Sequence, residues 1–305
     1  MKVERLSERV LMVDLEPAGT VGWSSVYVIT GRRSLAIVDP GPRASLEGVR
    51  ELLARVDLGR FSEVYVVLTH IHIDHAGVVG DLVDLVPRTK VFVHPRGVKH
   101  LVDPSRLWQS SLEVLKDIAK LLGEPRPVTQ DAVVALEDGA ELDLGDARLV
   151  ALHTPGHAPH HISYILEPDR LLLAGDSIAN HFNGRIYPVT VHPFDGEEYL
   201  DSLDAMLGLK PRVVAVTHYG PVWGDPEVFI QRARDKLMAW THYVEEVMRS
   251  GSSSVDEVYR GLLSRDVELV YAKGLEDAMP AFRGSTYRVV FGLYNYLLSR
   301  SRRAS

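Results

Sequence analysis

Thr69-His70-Ile71-His72-Ile73-Asp74-His75-Ala76-Gly77 decides how this chain is read. Three histidines and an aspartate crowd into six positions, directly after the run Val64-Tyr65-Val66-Val67-Leu68. A short apolar, β-branched run of that kind predicts a buried strand. The polar stretch is then the loop leaving the strand's C-terminal end, where α/β sheets place their ligands. Imidazole and carboxylate are donors for zinc and similar borderline metals, and a pair of metals needs about this many. The whole chain holds 13 histidines in 305 residues, so such a concentration exceeds what a polar surface loop requires. The stretch reads as a metal site.

Further donors appear at the ends of other strand-like runs. His157 follows Ala147–Leu152, within His153-Thr154-Pro155-Gly156-His157-Ala158-Pro159-His160-His161. Asp176 closes Leu171-Leu172-Leu173-Ala174-Gly175, and His218 follows Val213-Val214-Ala215-Val216-Thr217. Upstream, Ala36-Ile37-Val38 ends in Asp39-Pro40-Gly41. A packed sheet would gather these ends on one rim.

This ordered set resembles the metallo-β-lactamase superfamily, over roughly residues 8–222. The resemblance implies a four-layer αββα sandwich, an α/β (α+β) fold. It also implies two divalent metal ions, zinc first, with iron or manganese admitted by the same donors. His70, His72 and His157 would hold the first metal. Asp74, His75 and His218 would hold the second, with Asp176 bridging the two. Asp39 would orient the His70–His75 loop without touching a metal. Catalysis would use a metal-bridging hydroxide, with Asp176 steadying the bridge and Asp74 orienting the nucleophile. Family members include glyoxalase II-type thioesterases, lactonases, nucleases and persulfide dioxygenases, so the motif is specific for fold and site and weak for substrate.

Composition agrees. Apolar content of 46% and charged content of 25% are ordinary for a globular protein. A net charge of −7 argues against a general polyanion-binding surface, and the basic tail at Arg300, Arg302 and Arg303 is short. Nucleic acid is therefore a disfavoured partner. Cysteine is absent, which excludes disulfides and thiolate ligands. The N-terminus lacks the apolar core of a signal peptide and no run reaches membrane-spanning length, so the cytoplasm is the expected location. Sparse Asn and Gln beside plentiful Glu, Arg and Val suit a thermophile.

The elements run from strands to helices. Val10–Leu15, Val26–Thr30 and Ser34–Val38 predict strands, the last two joined by a turn at Gly31-Arg32-Arg33. Helical spacing marks residues 44–56 and 77–85. Short strands follow at 91–93, 133–136, 141–144, 147–152, 162–166 and 170–174. A helix over 196–207 and a strand over 213–216 complete a catalytic domain spanning 1–224. Residues 96–127 form a helical insertion through Leu107, Leu112, Leu115, Ile118 and Leu121. It fits either a lid or a plain core-packing role. Residues 225–305 form a helical extension. Asp225-Pro226 starts its first helix, whose apolar stripe is Phe229, Ala233, Leu237, Trp240, Val244 and Met248. Ser254-Val255-Asp256-Glu257 reads as a capping box, and Val289, Val290, Leu293 and Leu297 mark a last helix near 286–299. The extension suits a homodimer interface or pocket wall.

Among the other candidates, His160, Tyr219 and His192 are read as substrate-binding. His94 and His181 lie in loops that border the predicted site, whereas His100, His153 and His242 suit structural roles. Gly77 and Gly156 read as backbone hinges. The expected activity is hydrolysis of a small thioester, lactone or other ester-like substrate. A mononuclear iron persulfide dioxygenase is the alternative, and a phosphodiesterase or nuclease comes third.

Overall fold

The structure is a computed structural model describing residues 1–251, 254–279 and 282–304. The chain divides into two compact units. The first comprises Met1–His153, His160–Gly175 and Pro211–Trp223. The second comprises Thr154–Pro159, Asp176–Lys210 and the chain from Gly224 onward.

Two sheets make up the first unit. One has seven strands in chain order: β1 (Lys2–Arg5), β2 (Val10–Asp14), β3 (Ser25–Thr30), β4 (Ser34–Val38), β5 (Glu63–Val67), β6 (Thr89–Val93) and β7 (Val133–Ala135). Pairing is antiparallel as far as β4 and parallel from β4 to β7. The later strands are β8 (Glu141–Asp143), β9 (Arg148–His153), β10 (Ile162–Glu167), β11 (Leu171–Gly175), β12 (Asn180–Phe182), β13 (Arg185–Tyr187), β14 (Val213–Val216) and β15 (Pro221–Val222). All but β12 and β13 build the second sheet, ordered β15-β14-β11-β10-β9-β8. Its one parallel pair, β11 with β14, brings Gly175 level with Val216. The chain therefore leaves toward Asp176 and toward Thr217-His218 at the same end.

Strand periodicity sorts the side chains between two cores. Met12, Tyr27, Ile29, Ala36 and Val38 meet Leu149, Ala151, Tyr164, Leu173 and Ala215 between the sheets. The alternate residues Val13, Val26, Val28, Leu35, Ile37, Val64 and Val66 turn outward to the helices. These are α1 (Leu46–Ala54), α2 (Ile73–Ala76), α3 (Val79–Leu85), α4 (Val98–Val102), α5 (Ser105–Leu115) and α6 (Asp117–Leu122). Val49, Leu52 and Leu53 of α1 and Val79, Leu82 and Val83 of α3 fill that outer core. The predicted helix over 77–85 is α3, which starts two residues later, and a separate short helix, α2, precedes it inside the histidine loop with Gly77 as its C-cap. A Cβ on Gly77 would lie 2.4 Å from the Ile73 carbonyl oxygen and 2.8 Å from the Arg43 nitrogen, so only glycine fits there. In the 96–127 insertion the buried anchors are Leu101, Ala119 and Leu122, while Leu121 is exposed. A break at Lys116 (φ +54°) separates α5 from α6 and rotates the apolar face by about one residue from the predicted stripe.

Helices α7 (Gly196–Gly208), α8 (Pro226–Arg249), α9 (Val255–Leu263), α10 (Val267–Ala278) and α11 (Ser285–Ala304) dominate the second unit, beside the β12–β13 hairpin. Asp195, Asp225 and Asp266 cap α7, α8 and α10 by accepting from backbone N–H groups of the first turn. The apolar stripe of α8 is buried as predicted, with Ile230 added and Met248 only half-buried. Ser254 stands at the N-cap of α9 as predicted, but its side chain makes no capping bond. Val258 and Leu262 are the buried residues of that helix. The start of α11 is satisfied from a distance by Glu276, which accepts from the N–H groups of Gly284 (2.8 Å) and Thr286 (3.0 Å) and the Thr286 hydroxyl (2.7 Å). Among the described residues no helix is long and apolar enough to cross a membrane.

Candidate metal centre

The histidine loop is anchored before its first ligand. The Tyr164 hydroxyl donates to the Leu68 carbonyl (2.8 Å) and the Ile162 N–H to the Thr69 carbonyl (2.7 Å), so strand β10 fixes where the loop departs. Burial, reinforced by the Asp39 charge, holds the Tyr164 phenol well above its ordinary pKa, which keeps it a donor.

Beneath the loop lies Asp39, buried and in the left-handed region at φ +47°. Asp tolerates that conformation better than most residues, and there it turns its carboxylate under the ligands. Oδ1 accepts from the Thr69 N–H (2.8 Å). Oδ2 accepts from the Thr69 hydroxyl (2.6 Å), His75 Nδ1 (3.0 Å) and the Thr217 hydroxyl (3.0 Å). With its proton committed to Asp39, the Thr69 oxygen faces His70 Nδ1 at 3.0 Å as an acceptor. His218 Nδ1 donates to the Trp23 carbonyl. In the second unit His157 Nδ1 donates to the Val189 carbonyl (2.9 Å). Each of these four imidazoles thus has its Nδ1 proton directed at an oxygen. That assignment puts the lone pair on Nε2, the state a metal-ligating histidine requires.

Donor spacing fits the same purpose. Two ligand atoms sharing one zinc at bond lengths near 2.1 Å stand about 3–4 Å apart. In the first unit Asp74, His75 and His218 present ligand atoms all within 4.8 Å of one another. His218 Nε2 lies 3.6 Å and His75 Nε2 4.0 Å from Asp74 Oδ2. His70 Nε2 and His72 Nδ1 approach to 2.9 Å. In the second unit His157 Nε2 lies 3.6 Å from Asp176 Oδ2. Both of those residues are buried, and a buried carboxylate facing a buried imidazole is a costly pairing without a cation or proton between them.

The backbone explains why glycine flanks the candidate ligands. Gly156 has φ +120°, and a Cβ there would lie 2.4 Å from the backbone of Tyr199. Gly175 has φ +53°, and its Cβ would collide with His161 at 2.5 Å and Thr69 at 2.7 Å.

Of the other candidates, His160 stands beside the ligands, its ring 5.9 Å from that of His72 and 6.2 Å from that of His70. Tyr219 is half-buried at φ +69°, its ring packed over Gly22 and its N–H bonded to the Gly22 carbonyl (2.7 Å). His192 is exposed ahead of α7 in the second unit. His94 caps the turn at Pro95–Gly97 and stacks against His153, which reaches the Leu136 carbonyl. His181 packs edge-on against Phe229. His161, which the sequence places with His160 after His157, is buried and stacked on His70 at 5.0 Å, whereas Thr69 and Thr217 escaped sequence reasoning. A signal for the two threonines was present, since Thr-His stands at the end of two different strands, at 69–70 and 217–218.

The sequence model of the Metallo-beta-lactamase superfamily matches residues 19–218. A metallo-beta-lactamase fold-containing protein of Sulfurisphaera tokodaii is 34% identical over 228 residues, which cover 72% of this chain and 82% of that one. The crystal structure of an archaeal superfamily protein from Sulfolobus tokodaii superposes with a TM-score of 0.62 at 31% identity, over 71% of this chain and 81% of that one. A hydroxyacylglutathione hydrolase of Vibrio cholerae is 31% identical over 185 residues, 60% of this chain. An atrochrysone carboxyl ACP thioesterase of Pseudocercospora fijiensis is 30% identical over 183 residues, 59% of this chain. The matched regions span 56% and 45% of those two proteins. The chain belongs to the metallo-beta-lactamase superfamily, among its hydrolases, and has that superfamily's α/β sandwich fold with added C-terminal helices.

Proposed function

We propose that this chain hydrolyses a small thioester at a dinuclear metal centre. The observation that carries the reading is the common tautomer of His70, His75, His157 and His218, whose Nδ1 atoms all face oxygen acceptors. In this reading His70, His72 and His157 hold one metal, Asp74, His75 and His218 hold the other, and Asp176 serves both. Zinc is the ion we assign, because the nitrogen and oxygen donors suit it.

A divalent pair, when bound, supplies Lewis acidity that lowers the pKa of water and polarises a carbonyl. The chain's own residues do the remaining work. Asp39 holds His75 and, through Thr69, His70 in the ligating tautomer. Asp74 and Asp176 orient the attacking water by accepting its hydrogens. His160 and the Tyr219 hydroxyl meet the polar end of the substrate, and His192 is a further substrate-binding candidate. In this reading residues 1–224 form the catalytic domain, with 96–127 a helical insertion within it, and 225–305 form an extension suited to homodimerisation.

Thioesters are preferred because two hydrolase relatives are a hydroxyacylglutathione hydrolase and an acyl carrier protein thioesterase. Water adds to the carbonyl and the thiol leaves, so turnover is read directly as thiol release. With no cysteine in the chain, a thiol reagent gives no protein background. Zinc-loaded enzyme should release thiol from hydroxyacyl-glutathione or acyl-pantetheine esters. Thiol release from neither, alongside lactone opening or oxygen uptake with a persulfide, would move the assignment to those chemistries.

A further inference from the structure

We propose that Thr217 is a positioning residue of the metal centre, acting through Asp39 on His75. The inference rests on the metal-binding part of the reading above and is independent of the substrate.

Thr217 Oγ1 lies 3.0 Å from Asp39 Oδ2. The same oxygen takes the Thr69 hydroxyl and His75 Nδ1. Three donors from two loops therefore converge on one carboxylate oxygen, and each belongs to or adjoins a ligand: Thr69 adjoins His70, Thr217 adjoins His218, and His75 is itself one. All four groups are buried, with Thr217 and Asp39 only 2% and 1% exposed. In so dry a setting no water replaces a missing donor, and a hydrogen bond to a charged oxygen is worth more than a neutral one.

The Thr217 backbone is already held without its hydroxyl. Ser25 N–H donates to the Thr217 carbonyl (2.8 Å), the Tyr27 hydroxyl to the Val216 carbonyl (2.6 Å), and the Tyr219 N–H to the Gly22 carbonyl (2.7 Å). Those bonds, together with His218 Nδ1 on the Trp23 carbonyl, fix the strand end. The side-chain bond to Asp39 is therefore surplus to what the fold needs, and its effect falls on the carboxylate. With three donors around it, Oδ2 is held on the line that presents His75 Nε2 toward Asp74 and His218. Without the Thr217 hydroxyl the carboxylate has one fewer constraint, and His75 moves with it.

The experiment uses the full-length protein, stripped of metal and titrated with zinc and cobalt(II) against a competing chelator. Thr217→Val keeps the shape and removes the hydroxyl; Thr217→Ser keeps the hydroxyl. The expected result is about a tenfold loss of affinity at one of two sites in the valine variant, the low end for groups that orient ligands. Its cobalt(II) visible spectrum should change as well, and serine should restore both affinity and spectrum. Affinity within twofold of wild type with an unchanged spectrum would overturn the proposal, as would a serine variant that behaves like valine. If the valine chain does not fold by circular dichroism, Thr217→Ala is read by the same criteria. Wild-type protein that binds no metal overturns the proposal and the metal centre together, whereas intact metal binding without thiol release leaves Thr217 standing and refutes only the thioester.

Discussion

Replacing Asp39 by asparagine tests the centre at its most connected atom. The change is nearly isosteric, and the site is only 1% exposed, so shape and packing are kept. The carboxylate, however, accepts four hydrogen bonds: from the Thr69 N–H, the Thr69 and Thr217 hydroxyls, and His75 Nδ1. An asparagine keeps one accepting oxygen, and the Thr69 N–H claims it because a backbone donor cannot rotate. The amide nitrogen then replaces Oδ2 and faces three donors. Hydroxyls can turn and accept, but an imidazole can accept only by moving its proton from Nδ1 to Nε2. His75 would then carry hydrogen on the atom meant for the metal. Restoring the ligating tautomer sets the His75 Nδ1 proton against the amide N–H, a buried donor left without an acceptor, at a cost of about 1–3 kcal/mol. At about 1.4 kcal/mol per decade, metal affinity should fall roughly 10- to 100-fold, and mainly at the site that includes His75. Zinc titration against a chromophoric chelator measures this directly, with near-ultraviolet circular dichroism as the check on packing. An Asp39→Asn protein that binds both metals within threefold of wild type would refute the tautomer argument.

Removing the metals with a chelator should abolish thiol release and lower the melting temperature. At zinc a thousandfold above its Kd the loss is about 4 kcal/mol, and an unchanged melting temperature would count against native-state binding. Gly156→Ala should destabilise the fold by about 2–4 kcal/mol in chemical denaturation, because the residue adopts φ +120° and its Cβ would lie 2.4 Å from Tyr199 backbone. Asp266→Ala should cost about 3 kcal/mol without touching turnover, since Asp266 caps α10 and also accepts from Lys236 and the Trp240 indole. Acid titration should reveal His94: burial, then the neighbouring His153 and Arg96, lowers its pKa from 6.5 to about 4. The unfolded chain takes up that proton first, so stability falls as pH drops from about 6.5 to about 4 and levels off below. Half-exposure of the ring keeps the effect small, and His94→Gln should flatten that part of the profile.

How much of this was legible in the sequence follows from the range of the forces involved. The β-branched runs at 26–30, 34–38, 64–68 and 213–216 announce strands because a period of two needs no knowledge of neighbours. The histidine loop announces a metal site because its donors lie within one turn of chain. The stripe on α8 reads correctly for the same local reason, and so do the Asp225 cap and its proline. Failures begin where the deciding contact is remote. Leu121 loses its place to Ala119 and Leu122 because Lys116 breaks the helix, a φ of +54° that no periodicity encodes. Ser254 has the spelling of a capping box but makes no capping bond, while α11 is capped by Glu276 from another helix. The two Thr-His pairs lie 148 residues apart in sequence, and nothing in either strand says that both hydroxyls end on one oxygen of Asp39. The candidate ligands stand out in the sequence because their chemistry is rare and concentrated. The residues that hold them in the right protonation state are common types scattered through the chain, so only the folded geometry reveals them. It follows that substitutions at Thr69 and Thr217 should separate metal affinity from fold stability more cleanly than substitutions at the ligands, because the backbone bonds around both threonines persist without their hydroxyls.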